Sequence, residues 1–217
     1  AKQKFLFFPI IQKDQDFRLL LENALPVSKI LEDTYHLEGR QVLLFVGRLI
    51  DIKNLFFLLD ALALVVNRYP KVILLFVGDG DQRVALERHA ERNGLADHVI
   101  FAGKKQGKDL YACYNVGQIF VLPSYYERFG AVVNEALLAG CYTLCSSAAG
   151  AACLVNPLEN GAIFDSHSKD GLVEQLTVAL DMTPVLSELR LKENKMLNSY
   201  DTYFANFMNR LDDLLNK

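Results

Sequence analysis

The strongest constraint on this chain is a set of short apolar runs that do not alternate. Val42–Gly47 (VLLFVG) and Val72–Val77 (VILLFV) are apolar at every position. A strand with one wet face alternates; a strand that is apolar throughout is covered on both faces. Shorter runs follow at His98–Ala102, Gln118–Leu122 and Tyr142–Ser146, with a weak one at Ala162–Phe164. Between them the spacing predicts helices over Lys53–Arg68, stopped by Pro70, and over Asp81–Asn93, closed by Gly94. Two more are predicted over Lys108–Asn115 and Gly130–Ala139, the latter closed by Gly140, since glycine is a usual helix-ending residue. Such alternation implies an α/β fold: a Rossmann-like parallel sheet with right-handed crossovers and helices on both faces. Ligands of such sheets sit beyond the carboxyl ends of the strands. The loops after Val46, Val77, Phe101, Leu122 and Cys145 are therefore the places to look.

The ends read differently. Residues 1–38 carry a strand-like run, Phe5–Phe8, and a helix around Val27–Leu37. From about residue 168 the chain reads as almost wholly helical, and Tyr200–Leu215 has one apolar and one charged face.

Composition excludes several classes. The net charge is −3, which argues against a nucleic-acid surface, because that needs clustered Lys and Arg. A bound phosphate would be met by one or two placed cations. The longest greasy stretch, Leu49–Val66, contains Asp51, Lys53, Asn54 and Asp60 and makes a poor membrane span. No signal peptide leads the chain, and it opens on Ala1 rather than Met, which suggests an excised fragment or a processed start. Cys113, Cys141, Cys145 and Cys153 form no CxxC and have no histidine at zinc-finger spacing. They read as reduced thiols of a cytoplasmic protein, and no metal is expected.

Three constellations carry chemistry. Gly47-Arg48-Leu49 followed by Lys53 puts two cations between a strand end and a helix start, an arrangement suited to a diphosphate or simply a solvated basic loop. Gly78-Asp79-Gly80 has Arg83 where a dinucleotide fingerprint needs its third glycine, so it implies no hydride chemistry; a tight turn is the plain alternative. The third is Pro123-Ser124-Tyr125-Tyr126-Glu127-Arg128-Phe129-Gly130, running into Ala131–Ala139 with Glu135 inside. Free amides of that first turn can hold phosphate oxygens. Glu127 in the loop and Glu135 in the second turn can accept hydrogen bonds from vicinal hydroxyls. As a bare pair they also suit acid–base catalysis, or a cap and an unrelated surface carboxylate.

The spacing Glu127-x7-Glu135 within PSYYERFGAVVNEALLAG resembles the donor-site motif of retaining glycosyltransferases of family 4, which have the GT-B fold. FVGRLIDIKN, FVGDG and VIFAGK follow in that family's order, and the resemblance covers roughly residues 40–165. It implies one half of a two-domain GT-B fold: a linker strand and helix over 1–38, the nucleotide-sugar-binding domain over 39–182, and C-terminal helices over 183–217 packing on a missing N-terminal acceptor domain. The implied activity is transfer of a hexose from a nucleotide-diphosphate sugar with retention of configuration, as in polysaccharide biosynthesis, without a metal. A donor-fold module without catalysis, or a GT-B nucleotide-sugar epimerase, is the alternative. By resemblance Arg48 and Lys53 bind the diphosphate, Glu127 contacts the transferred sugar, and Glu135 holds the ribose. The amides around Phe129-Gly130 support sugar or phosphate, Gly47 lets the donor approach, and backbone near Lys105 meets the base. Any membrane contact would be peripheral, through the missing half, and the lone domain would be inactive. Two positions depart from the pattern. Cys153 stands where the family often has an acid, and Gln118 where an aspartate often precedes the strand.

Overall fold

The protein is described by a computed structural model over residues 8–157 and 159–215. Six strands form one wholly parallel sheet: β1 (Gln41–Val46), β2 (Val72–Val77), β3 (Val99–Gly103), β4 (Ile119–Leu122), β5 (Tyr142–Ser146) and β6 (Gly161–Phe164). Their order is β3-β2-β1-β4-β5-β6, the doubly wound arrangement, whose direction reverses between β1 and β4. All six residues of β1 and of β2 are buried, as their uninterrupted apolar runs require.

Seven helices complete the described fold: α1 (Asp14–Tyr35), α2 (Leu55–Val65), α3 (Arg83–Arg92), α4 (Lys108–Val116), α5 (Ala131–Leu138), α6 (Lys169–Met182) and α7 (Tyr200–Leu215). α2 packs on α3 and α6, while α1 packs on α4 and α5. The parallel connections of the sheet put these groups on its two faces. Phe45, Phe76 and Phe120 are fully buried between them.

The expected first helix and the expected helical run after residue 182 are corrected. The first helix begins at Asp14, not near Val27, and carries Pro26 inside it. An internal proline lacks an N–H and clashes with the preceding turn, at a cost of about 3 kcal/mol, which is why the sequence reads as starting there. The stripe Phe17, Leu21, Ala24, Ser28 and Leu31 is buried against the domain and offsets that cost. The strand-like run over Phe5–Phe8 lies outside the described residues except for Phe8, which is not in a strand.

Residues 183–199 are not helical. They form a strap across the amino-terminal edge of the sheet, because their backbone finds partners outside a helix. Leu186 N donates to Arg40 O (2.6 Å), Gly39 N donates to Leu186 O (2.7 Å), and Lys195 N donates to Leu137 O (2.8 Å). Gln41 and Gln118 side chains donate to Thr183 O and Pro184 O, each at 2.6 Å. Gln118 thus serves this edge, at the opposite end of β4 from the candidate site. α7 follows with no buried residue, its Tyr200, Phe204 and Phe207 rings set edge-on around Phe8.

Candidate functional site

At the switch point the loop after β1 and the loop after β4 lie side by side. The first runs Gly47–Asn54 through a short 3-10 turn over Asp51–Lys53. Asn54 ends that turn in the left-handed region (φ 57°) and anchors it by donating from Nδ2 to Ser166 O at 3.0 Å. The second loop is stitched on both sides by backbone. Tyr125 N donates to Ile52 O (3.0 Å), Gly150 N to Glu127 O (3.0 Å), and Ala151 N to Phe129 O (2.7 Å). Gly130 then turns into α5 at φ 93°, where a Cβ would sit 2.9 Å from Leu122 Cδ2. Any L side chain there would be both strained and crowded.

This stitching sets the charges. Lys53 is half-buried and its ammonium donates to the Glu127 carboxylate, so the two residues assigned by resemblance to diphosphate and sugar neutralise one another. Arg48 is exposed, and among the described residues no carboxylate pairs with it. It lines a cavity of about 410 Å³ at the carboxyl ends of β1, β2 and β3, together with Gly47, Gly78, Asp79, Lys104, Lys105 and Leu110. That volume is in the range of small-molecule sites. A Cβ built on Gly47 would lie 3.9 Å from Lys53 Cε, so the Lys53 stem borders the same loop.

Gly78-Asp79-Gly80 lies alongside the loop after β1, where Leu49 N donates to Asp79 O at 3.0 Å, and the chain turns only at residues 81–82. A Cβ on Gly78 would sit 1.8 Å from Gly47 O, so the glycine exists to let the two strand ends meet. Phe129 is buried, and Gly130 is the N-cap of α5.

Glu135 stands apart from the Lys53–Glu127 pair. It lies on the second turn of α5, where Tyr114 Oη donates to Oε2 at 2.6 Å and Gln12 Nε2 donates to Oε1 at 2.9 Å. Burial pushes its carboxyl above the usual range, while those two hydrogen bonds pull it back. Gln12 precedes α1 and is also fixed through its backbone N, which donates to Asn134 Oδ1 at 2.8 Å. Sequence reasoning missed Tyr114 and Gln12. Tyr114 reads as one more aromatic of a core helix, and Gln12 is 123 residues from Glu135 in the chain.

Cys153 is the one exposed thiol of the four. It borders a separate cavity of about 280 Å³ with Pro9, Tyr203 and Arg210. Among the described residues no three His, Cys, Asp or Glu gather as a metal set, and no helix is long and apolar enough to cross a membrane.

Comparison with known proteins gives the family and the fold. An uncharacterized glycosyltransferase of Methanocaldococcus jannaschii is 33% identical over 170 residues, covering 76% of this chain and 42% of that protein. The C-terminal domain of a glycosyl transferase group 1 family protein, LpcC, from Francisella tularensis superposes with a TM-score of 0.63 at 19% identity, covering 93% of this chain and 96% of that one. HepE of Anabaena, solved in complex with UDP, superposes with a TM-score of 0.68 at 22% identity, covering 86% of this chain and 52% of that one. The last two likenesses concern the fold. This chain spans about half the length of HepE and somewhat less of the archaeal relative. Residues 28–196 match the family described as Glycosyl transferases group 1, and the chain belongs to that family of transferases.

Proposed function

We propose that the chain is the donor-binding half of a two-domain retaining hexosyltransferase and holds a nucleotide-diphosphate sugar across the β1/β4 switch point. The observation that carries this is the convergence of two loops. One brings Arg48 and Lys53; the other brings Glu127, Gly130 and the start of α5, beside a cavity that Lys105 also lines. Arg48 lines the cavity, and among the described residues no carboxylate pairs with it. It and Lys53 hold the diphosphate, and the positive end of α5 adds a fixed dipole. The base sits near Lys105, Glu135 takes the ribose, and Glu127 takes the sugar. HepE, whose fold is shared, was solved with UDP, which favours a nucleoside diphosphate here.

The chemistry follows from charge. The anomeric carbon–oxygen bond to phosphate breaks, the acceptor oxygen bonds to that carbon on the same face, and the acceptor proton passes to the departing phosphate. Negative charge grows on the phosphate in the transition state, so fixed cations accelerate the step rather than only tightening binding. No residue of this chain is required as a covalent nucleophile, and no metal enters. The acceptor is presented by a second Rossmann-like domain facing this edge.

Calorimetric titration with UDP, GDP and their hexose conjugates tests the reading. Binding of one diphosphate at micromolar to millimolar concentration, with the free nucleoside far weaker, supports it. No binding of either diphosphate at millimolar concentration overturns it. In a two-domain protein that contains this chain, NMR of the product reports whether the anomeric configuration is retained.

A further inference from the structure

We propose that Tyr114 is the positioning residue for Glu135, fixing one carboxylate oxygen inside the domain so that the other is aimed at the ribose. This rests on the donor reading above. Tyr114 is fully buried on α4, and its hydroxyl donates to Glu135 Oε2 at 2.6 Å. The opposite oxygen, Oε1, faces the exposed side and accepts from Gln12. The carboxylate is therefore divided into a held atom and an offered atom.

The tyrosine is itself held at its backbone and at its ring. Lys192, from the strap, donates to Tyr114 O at 3.1 Å and Asn115 O at 2.5 Å. These carbonyls belong to the last turn of α4, where carbonyls lack helical partners and a cation is favoured. The Phe17 ring of α1 stands edge-on to the Tyr114 ring, 6.3 Å between centroids. A buried phenol clamped at its backbone and ring has one direction left for its proton, and Glu135 Oε2 lies in it. A carboxylate with one oxygen pinned loses less rotamer freedom on accepting a ribose hydroxyl, which is where preorganisation contributes.

Gln12 shows what the offered oxygen takes. A neutral N–H donor from the segment before α1 occupies it at 2.9 Å, as a ribose hydroxyl would. Tyr114 touches no ligand in this arrangement and acts only through Glu135.

The test is a comparison of UDP with 2′-deoxy-UDP and 3′-deoxy-UDP (or the guanine set, if that is what the chain binds), by calorimetry on the parent chain and on Tyr114→Phe. The parent is expected to prefer UDP over the weaker-binding deoxy form by roughly tenfold, the worth of one hydrogen bond to a charged group. Tyr114→Phe should cut that preference to about twofold while leaving affinity for the deoxy form within about twofold. A merely structural role would weaken all three ligands together. If the parent prefers UDP and Tyr114→Phe keeps the full preference, the positioning role is overturned while the ribose assignment stands. If the parent binds all three alike, the ribose assignment of Glu135 fails and the positioning role with it. If neither diphosphate binds, the donor reading fails and the role toward the ribose with it, while the Tyr114–Glu135 contact is still tested without ligand. Carbon-detected titration of the Glu135 carboxyl, on which burial, Tyr114 and Gln12 act, should show a higher midpoint in Tyr114→Phe. An unchanged midpoint overturns the proposal.

Discussion

The contact between Lys53 and Glu127 makes the sharpest prediction. The ammonium and carboxylate pair at the switch point, with side chains only 15% and 21% exposed. At an effective dielectric of about 20, unit charges about 4 Å apart attract by roughly 4 kcal/mol. Much of this is offset by desolvation, leaving about 1.5–3 kcal/mol for a charged hydrogen bond. A diphosphate that uses Lys53 must share that cation with Glu127 and meets a carboxylate of its own sign. Glu127→Gln keeps the shape and removes the charge. UDP should then bind about 1–2 kcal/mol tighter, or about five- to thirtyfold, whereas uridine should be unchanged. The assay is calorimetry at a fixed ionic strength of about 0.15 M, since screening weakens such effects. A double-mutant cycle with Lys53→Ala should be non-additive, because the gain from Glu127→Gln depends on a free Lys53. Unchanged or weaker UDP binding in Glu127→Gln, or additivity in the cycle, would refute the shared-cation argument. In a two-domain protein that contains this chain, sugar transfer should fall in the same variant, which separates tighter diphosphate binding from useful donor binding.

Other outcomes follow from the same geometry. Arg48→Ala should weaken UDP by about 1–3 kcal/mol and leave uridine unaffected; equal losses measured by calorimetry would remove Arg48 from the diphosphate. Asn54→Ala forces an alanine into the left-handed region and breaks the bond to Ser166 O, so denaturant unfolding should show a loss of about 1–3 kcal/mol. Asn54→Gly, which tolerates the conformation, should lose less, and the reverse order would sink the argument. Burial pushes the Cys113 and Cys145 thiols up to about 12, and Cys141 is also buried. An alkylating reagent near pH 8 should therefore label Cys153 first and the other three only on unfolding, as mass spectrometry would show.

Much of the fold is legible in residue pattern because covering both faces of a strand demands apolar residues at every position. Val42–Val46 and Val72–Val77 announce parallel central strands, and glycines at 94 and 140 mark helix ends. Pro26 and residues 183–199 are not legible in the same way. Proline's local cost hides a helix that packing on α4 sustains. The strap is hidden because its backbone is satisfied by Arg40, Leu137 and two glutamine side chains distant in sequence.

Residue pattern alone carries a parallel sheet covered on both faces, the loops at its carboxyl edge and the residue types they hold: Arg48, Lys53, Glu127, Gly130 and Glu135. How those residues are partnered comes from the folded domain. Gly47, Arg48 and Lys105 share one cavity, Lys53 is neutralised by Glu127, and Glu135 is divided between Tyr114 and Gln12. The reason is that chain pattern encodes burial and turn geometry over a few residues. Which charge meets which depends on the reversal of strand order between β1 and β4, which brings loops 74 residues apart into contact.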